Sequence, residues 1–84
     1  MNYIFSFSSR NSALRFYDAV IAAGGKAKLT NAPIASGTGC GLAVKSNDYH
    51  LCQNVLNFGH YNYLREIYEY DGQTYKSLYR QGNY

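Results

Sequence analysis

The chain changes its hydrophobic period several times, and each change predicts an element. Residues 3 to 7, YIFSF, are aromatic and β-branched around one serine, which reads as a short strand. Ala13, Leu14, Phe16, Tyr17, Val20 and Ile21 then recur at helical spacing within residues 10 to 23, predicting an amphipathic helix with these six side chains on its buried stripe. Ser8 or Ser9 is placed to cap it, because a serine hydroxyl accepts from a free backbone N–H of the first turn. Gly24-Gly25 ends it, since glycine enters the left-handed region without a Cβ clash.

KAKLT, residues 26 to 30, alternates charged and apolar side chains, as a strand with one solvated face does. GLAVK, 41 to 45, predicts a third strand. Asn47 or Asp48 caps a second helix over about 48 to 58, with Leu51, Cys52, Val55, Leu56 and Phe58 on its apolar face and Gly59 as its stop. YNYLREIYEY, 61 to 70, is a fourth strand, and Asp71-Gly72 is a tight-turn signal. TYKSLYR, 74 to 80, either returns as a fifth strand or hangs as a tail.

This order predicts an α+β protein with the split βαβ pattern of a ferredoxin-like sandwich, βαββαβ with an optional extra C-terminal strand. Both helices then cover one face of an antiparallel sheet. The other face carries Tyr and Phe at alternate positions. An exposed aromatic face of that kind is usually covered by a partner, which makes a homodimer one expectation; rings buried under wet hydroxyls are the other.

Length fits one domain over residues 1 to 84, with a core of about 2 to 70 and residues 71 to 84 as a hairpin or tail. At 46% hydrophobic and 15% charged, the chain is a folded globule and not a disordered segment. The net charge is +3, and Lys26, Lys28, Lys45, Arg65, Lys76 and Arg80 are spread along the chain. A nucleic-acid binder shows a denser basic stripe, so no nucleic-acid partner is expected. No apolar run approaches the roughly 20 residues of a membrane span, and MNYIFSFSSR lacks the basic start of a signal peptide. A cytoplasmic protein without a membrane partner is therefore expected, with its two cysteines as thiols.

The candidate chemistry concentrates in ASGTGCGLAV, residues 35 to 44. As a phosphate cradle the segment is poor, because its glycines precede a strand where a nucleotide site needs a helix. As a thiol loop it is better. The connection over residues 31 to 40 exceeds the two to five residues usual in a hairpin. Cys40 ends it between Gly39 and Gly41, so no neighbouring side chain shields the sulfur, and backbone N–H groups of a glycine turn favour the thiolate. A plain hairpin with a small residue at a strand edge remains the competing reading.

Other groups offer less. Cys52 lies between Leu51 and Val55 on an apolar helix face, as a core thiol does. His50 and Cys52 are two apart and point to different sides of a helix, and His60 falls in a turn. No four-ligand zinc spacing is present, so neither metal nor cofactor is expected. Glu66 and Glu69, three apart on a strand, face opposite ways, and Asp18 belongs to the polar side of the first helix.

The opening strand, then SSRNSALRFYDAVIAAGGKAKLTNAP, then the small-residue loop ending CGLAV, a short helix and a Tyr-rich strand together resemble the selenium/sulfur carrier-like family of small bacterial and archaeal domains. The resemblance spans about residues 2 to 70, and its most specific part is Cys40-Gly41. It implies a carrier that is not an enzyme: a cysteine holds sulfur or selenium as a persulfide-type adduct, receives it from a donor protein and delivers it to an acceptor protein. That role falls on Cys40, with Gly37, Gly39 and Gly41 as the supporting loop. Cys52 has no match to the motif, and DGQTYKSLYRQGNY extends past the family's usual end. The competing class is a self-associating or small-ligand-binding module in which Cys40 is incidental. A cysteine-based enzyme lacks a recognisable base.

Overall fold

The structure is a computed structural model and describes residues 2–31, 42–59 and 64–80. Its elements run β1 (Asn2–Phe7), α1 (Arg10–Ala22), β2 (Lys28–Asn31), β3 (Leu42–Ser46), α2 (Tyr49–Gly59), β4 (Leu64–Tyr70) and β5 (Tyr75–Arg80). The strands form one sheet in the order β2-β3-β1-β4-β5, and every pairing is antiparallel. β1 and β2 both run against β3, so they are parallel to each other and split by it. β3 and β4 are likewise split by β1. These two split βαβ units are the ferredoxin-like arrangement expected from the element order, and β5 adds the extra strand at the β4 edge.

The local signals sit where the sequence puts them. Ser9 caps α1, accepting from the Ser12 N–H at 3.4 Å. Asp48 caps α2, its Oδ1 accepting from the Leu51 N–H at 3.1 Å. At the end of α1, Gly24 has φ +92°, and the N–H groups of Gly24 and Gly25 donate to Ile21 and Val20 carbonyls at 3.0 and 2.9 Å. Gly25 has a different reason to be glycine. A Cβ there would lie 2.5 Å from Leu51 Cδ2 and 3.0 Å from Val20 Cγ1, so a side chain would require Leu51 of α2 to move. The β4–β5 turn is tied by Asp71, whose Oδ1 accepts from the N–H groups of Gln73 and Thr74 at 2.9 and 2.8 Å, while Gly72 takes φ +103°.

Both helices pack on one sheet face around Phe5, Phe7, Ala13, Phe16, Val20, Val44, Cys52 and Ile67. The Phe16 ring lies 5.1 Å from that of Phe5 and 5.4 Å from that of Phe7, centroid to centroid. Three side chains expected in this core are outside it. Leu14 and Ile21 flank the α1 stripe and stay exposed, and Phe58, at the last turn of α2, is 87% exposed. In their stead Ser12 is buried beside Ala13. A helix presents a stripe to one sheet face, and periodicity does not say which flank of that stripe the sheet reaches.

On the opposite face the described residues follow the second of the two expectations, buried rings, more than the open aromatic surface. Ile4, Ala43 and Tyr68 form a second buried cluster with Tyr70 packed against it. Tyr70 stacks on Tyr75 at 4.5 Å between centroids, and Tyr75 also meets Tyr68 edge-on. The Tyr68 hydroxyl donates to Glu66, which is buried beside it. Among the described side chains, aromatic exposure on this face is concentrated at Tyr75.

Candidate functional site

Two cysteines, Cys40 and Cys52, are the chain's only thiols. Cys40, together with Gly37, Gly39 and Gly41, lies outside the described residues, as does His60. What is described is the base from which that segment departs. Asn31, the last residue of β2, pairs with Leu42, the first of β3, so residues 32 to 41 connect two strands held in register. β3 is fixed on both sides, by β2 and by β1. Cys40 therefore precedes, by two positions, one of the best anchored strands of the sheet.

Cys52 is described in full. It sits on the inner side of α2 with no solvent exposure, a free thiol inside the main core. Burial pushes its pKa up. A hydrogen bond with the Ser46 side chain pulls the other way, and the Asp48 carboxylate adds to the rise. A thiol held protonated in an apolar site is a poor nucleophile, because the thiolate is the reactive form. His50 is exposed on α2, so the two do not converge. Among the described residues no group of three or more His, Cys, Asp or Glu gathers as a metal site.

A buried neutral thiol also makes stability depend on pH. The unfolded chain loses the Cys52 proton near pH 8.5, the usual cysteine value, while the native state keeps it to higher pH. Above that point the unfolded state binds fewer protons than the native one, so stability falls as pH rises. The contribution is fully present below about pH 8.5 and declines toward the folded value. Urea titrations across this range are expected to show a steeper alkaline loss in the wild type than in Cys52→Ala. Parallel profiles would mean that Cys52 does not set the slope.

Ser46 is the polar side chain that the sequence does not single out. It is buried at the end of β3, and its Oγ donates to the Lys26 carbonyl at 2.6 Å and accepts from the Asp48 N–H at 3.2 Å. One hydroxyl thus joins the approach to β2, the end of β3 and the start of α2. Glu66 and Glu69 pair with Ser6 and Tyr3 of β1 and face opposite ways, as their spacing requires. Asp18 is exposed on α1.

Set against known proteins, residues 2–69 match the model of a family described as "Putative Se/S carrier protein-like". No curated protein and no solved structure matches the chain. The match ends at Glu69, before the turn that leads into β5.

Proposed function

Because the chain belongs to the Se/S carrier protein-like family over most of its length, we propose that it carries sulfur or selenium on Cys40 and hands it to an acceptor protein. The observation that supports Cys40 in particular is the burial of Cys52. A carrier thiol has to meet the thiols of two other proteins, and Cys52 has no exposed surface. Cys40 is then the cysteine left for the task, in a stretch of sequence made mostly of small residues. The neighbouring strand β3, paired on both edges, gives that segment a firm base.

The chemistry needs little else. The Cys40 thiolate attacks the outer sulfur of a donor persulfide. The donor S–S bond breaks, the donor leaves as a thiolate, and a new S–S bond on Cys40 holds the outer sulfur with its proton. An acceptor thiolate then attacks that outer sulfur and releases Cys40 as a thiolate. No net oxidation occurs, and the same steps move a selenium atom from a selenopersulfide. Exchange of this kind depends on access and thiolate character and not on an acid–base pair. The role is that of a carrier and not of an enzyme, with a donor and an acceptor protein as partners.

Intact-protein mass spectrometry after incubation with a low-molecular-weight persulfide tests it. The wild type and Cys52→Ser are expected to gain one sulfur atom that a reductant removes, and Cys40→Ser is expected to gain none. An adduct that survives Cys40→Ser, or none on the wild type, defeats the assignment.

A further inference from the structure

At the end of the sheet away from the β2–β3 connection, the chain forms a cavity of about 350 Å³ lined in part by Asn2, Lys26, Lys28, Lys45, Ser46 and Asn47. Strand order and register bring these residues together. β3 lies between β2 and β1, Lys28 pairs directly with Lys45, and Tyr3 pairs with Ser46, which sets Asn2 beside Asn47. Three of the chain's eight Lys and Arg residues therefore line one depression, although they are 17 and 19 residues apart from Lys45 back to Lys28 and Lys26.

From this gathering we infer a binding site for a pyrophosphate group. Like charges placed directly opposite on neighbouring strands destabilise a sheet, so the Lys28–Lys45 pair has a cost that a bound anion removes. Among the described residues no carboxylate lines the cavity. Asp48, the acid nearest in sequence, is directed to the N-terminus of α2 by its bond from Leu51. The Lys45 ammonium lies 5.9 Å from the Tyr70 ring centroid across β1, a contact that leaves its charge unneutralised, so anion binding would draw this side chain back over the depression. The rim is fixed by Ser46, which binds the Lys26 carbonyl and so holds the approach to β2 against the end of β3. Asn2 and Asn47 add amide donors suited to phosphate oxygens.

Size and charge narrow the ligand. The cavity is in the range of small-molecule pockets and roomier than one phosphate requires. Three lysines at the depression match the charge of a diphosphate better than that of a single phosphate. The pyrophosphate is either free or part of a nucleoside diphosphate, and the shared group is what the lysines recognise. The inference does not rest on the carrier reading.

Titration of the full chain with sodium pyrophosphate and with ADP at physiological ionic strength, followed by calorimetry and by amide chemical-shift mapping, tests the inference. Saturable binding is expected, with shifts centred on residues 2, 26 to 28 and 45 to 47. Lys28→Gln and Lys45→Gln are each expected to weaken it about tenfold, as loss of a charged hydrogen bond does. Arg10→Gln, at the start of α1, is expected to leave it unchanged. Equal affinity for the two probes identifies free pyrophosphate as the source, and tighter ADP binding with shifts reaching Tyr70 identifies a nucleotide. Lack of saturable binding to the wild type, or binding indifferent to both lysine substitutions in variants with native spectra, overturns the site.

Discussion

Replacing Phe16 with alanine is expected to destabilise the protein by about 3–5 kcal/mol. The ring is fully buried between the first helix and the sheet and contacts the rings of Phe5 and Phe7. Its removal takes away both the transfer free energy of the ring and the packing of its neighbours, which backbone relaxation only partly restores. Native domains have about 5–15 kcal/mol in total, and a chain of 84 residues buries a smaller share of its surface than a larger one. The loss therefore reaches a large part of the whole. Thermal unfolding followed by circular dichroism is expected to show a midpoint at least about 12 °C lower. Phe58→Ala, at an 87% exposed position of the same residue type, is expected to stay within about 0.5 kcal/mol of the wild type. Equal effects at the two positions would contradict the packing described.

The second large effect concerns Cys52. In a Cys40→Ser background, where Cys52 is the remaining thiol, an aromatic disulfide reagent is expected to label it at least about a thousandfold more slowly in the native state than in denaturant. The group has no exposed surface, and its pKa is raised by burial, so labelling has to wait for an opening of the core. Openings of core elements approach the global unfolding free energy, and the corresponding equilibrium constants start at about 10³. Labelling rates within tenfold of each other in the two states would show that α2 opens readily. The argument from Cys52 to Cys40 would then lose its basis.

Local chemistry made most of the fold legible. Ser9, Asp48 and the Asp71-Gly72 pair mark a helix start, a second helix start and a turn, and each forms the bond its residue type favours. The βαββαβ order was sufficient to give the split topology, because few sheet arrangements accommodate it. Legibility failed where geometry between elements decides the outcome. Leu14, Ile21 and Phe58 fit the helical period yet lie beyond the sheet's reach, and Gly25 is set by the approach of Leu51 rather than by a turn. The lysines show the same limit more sharply. Lys26, Lys28 and Lys45 are dispersed along the chain, and only the pairing of β2 with β3 makes them a cluster. The sequence proposes Cys40, whereas what bears on that choice in the structure is indirect: the burial of the other thiol.

The central place of β1 has a consequence for synthesis. Its two partners are β3 and β4, and the β4 pairing joins residues as distant as Asn2 and Tyr70. At about 5–20 residues per second on the ribosome, β1 emerges some 3–14 s before that partner is complete. During this interval Ile4, Phe5 and Phe7, all buried at the end, lack the strand that closes their second edge. Newly made chains therefore pass through a window in which unpaired backbone and aromatic side chains are open to other nascent chains.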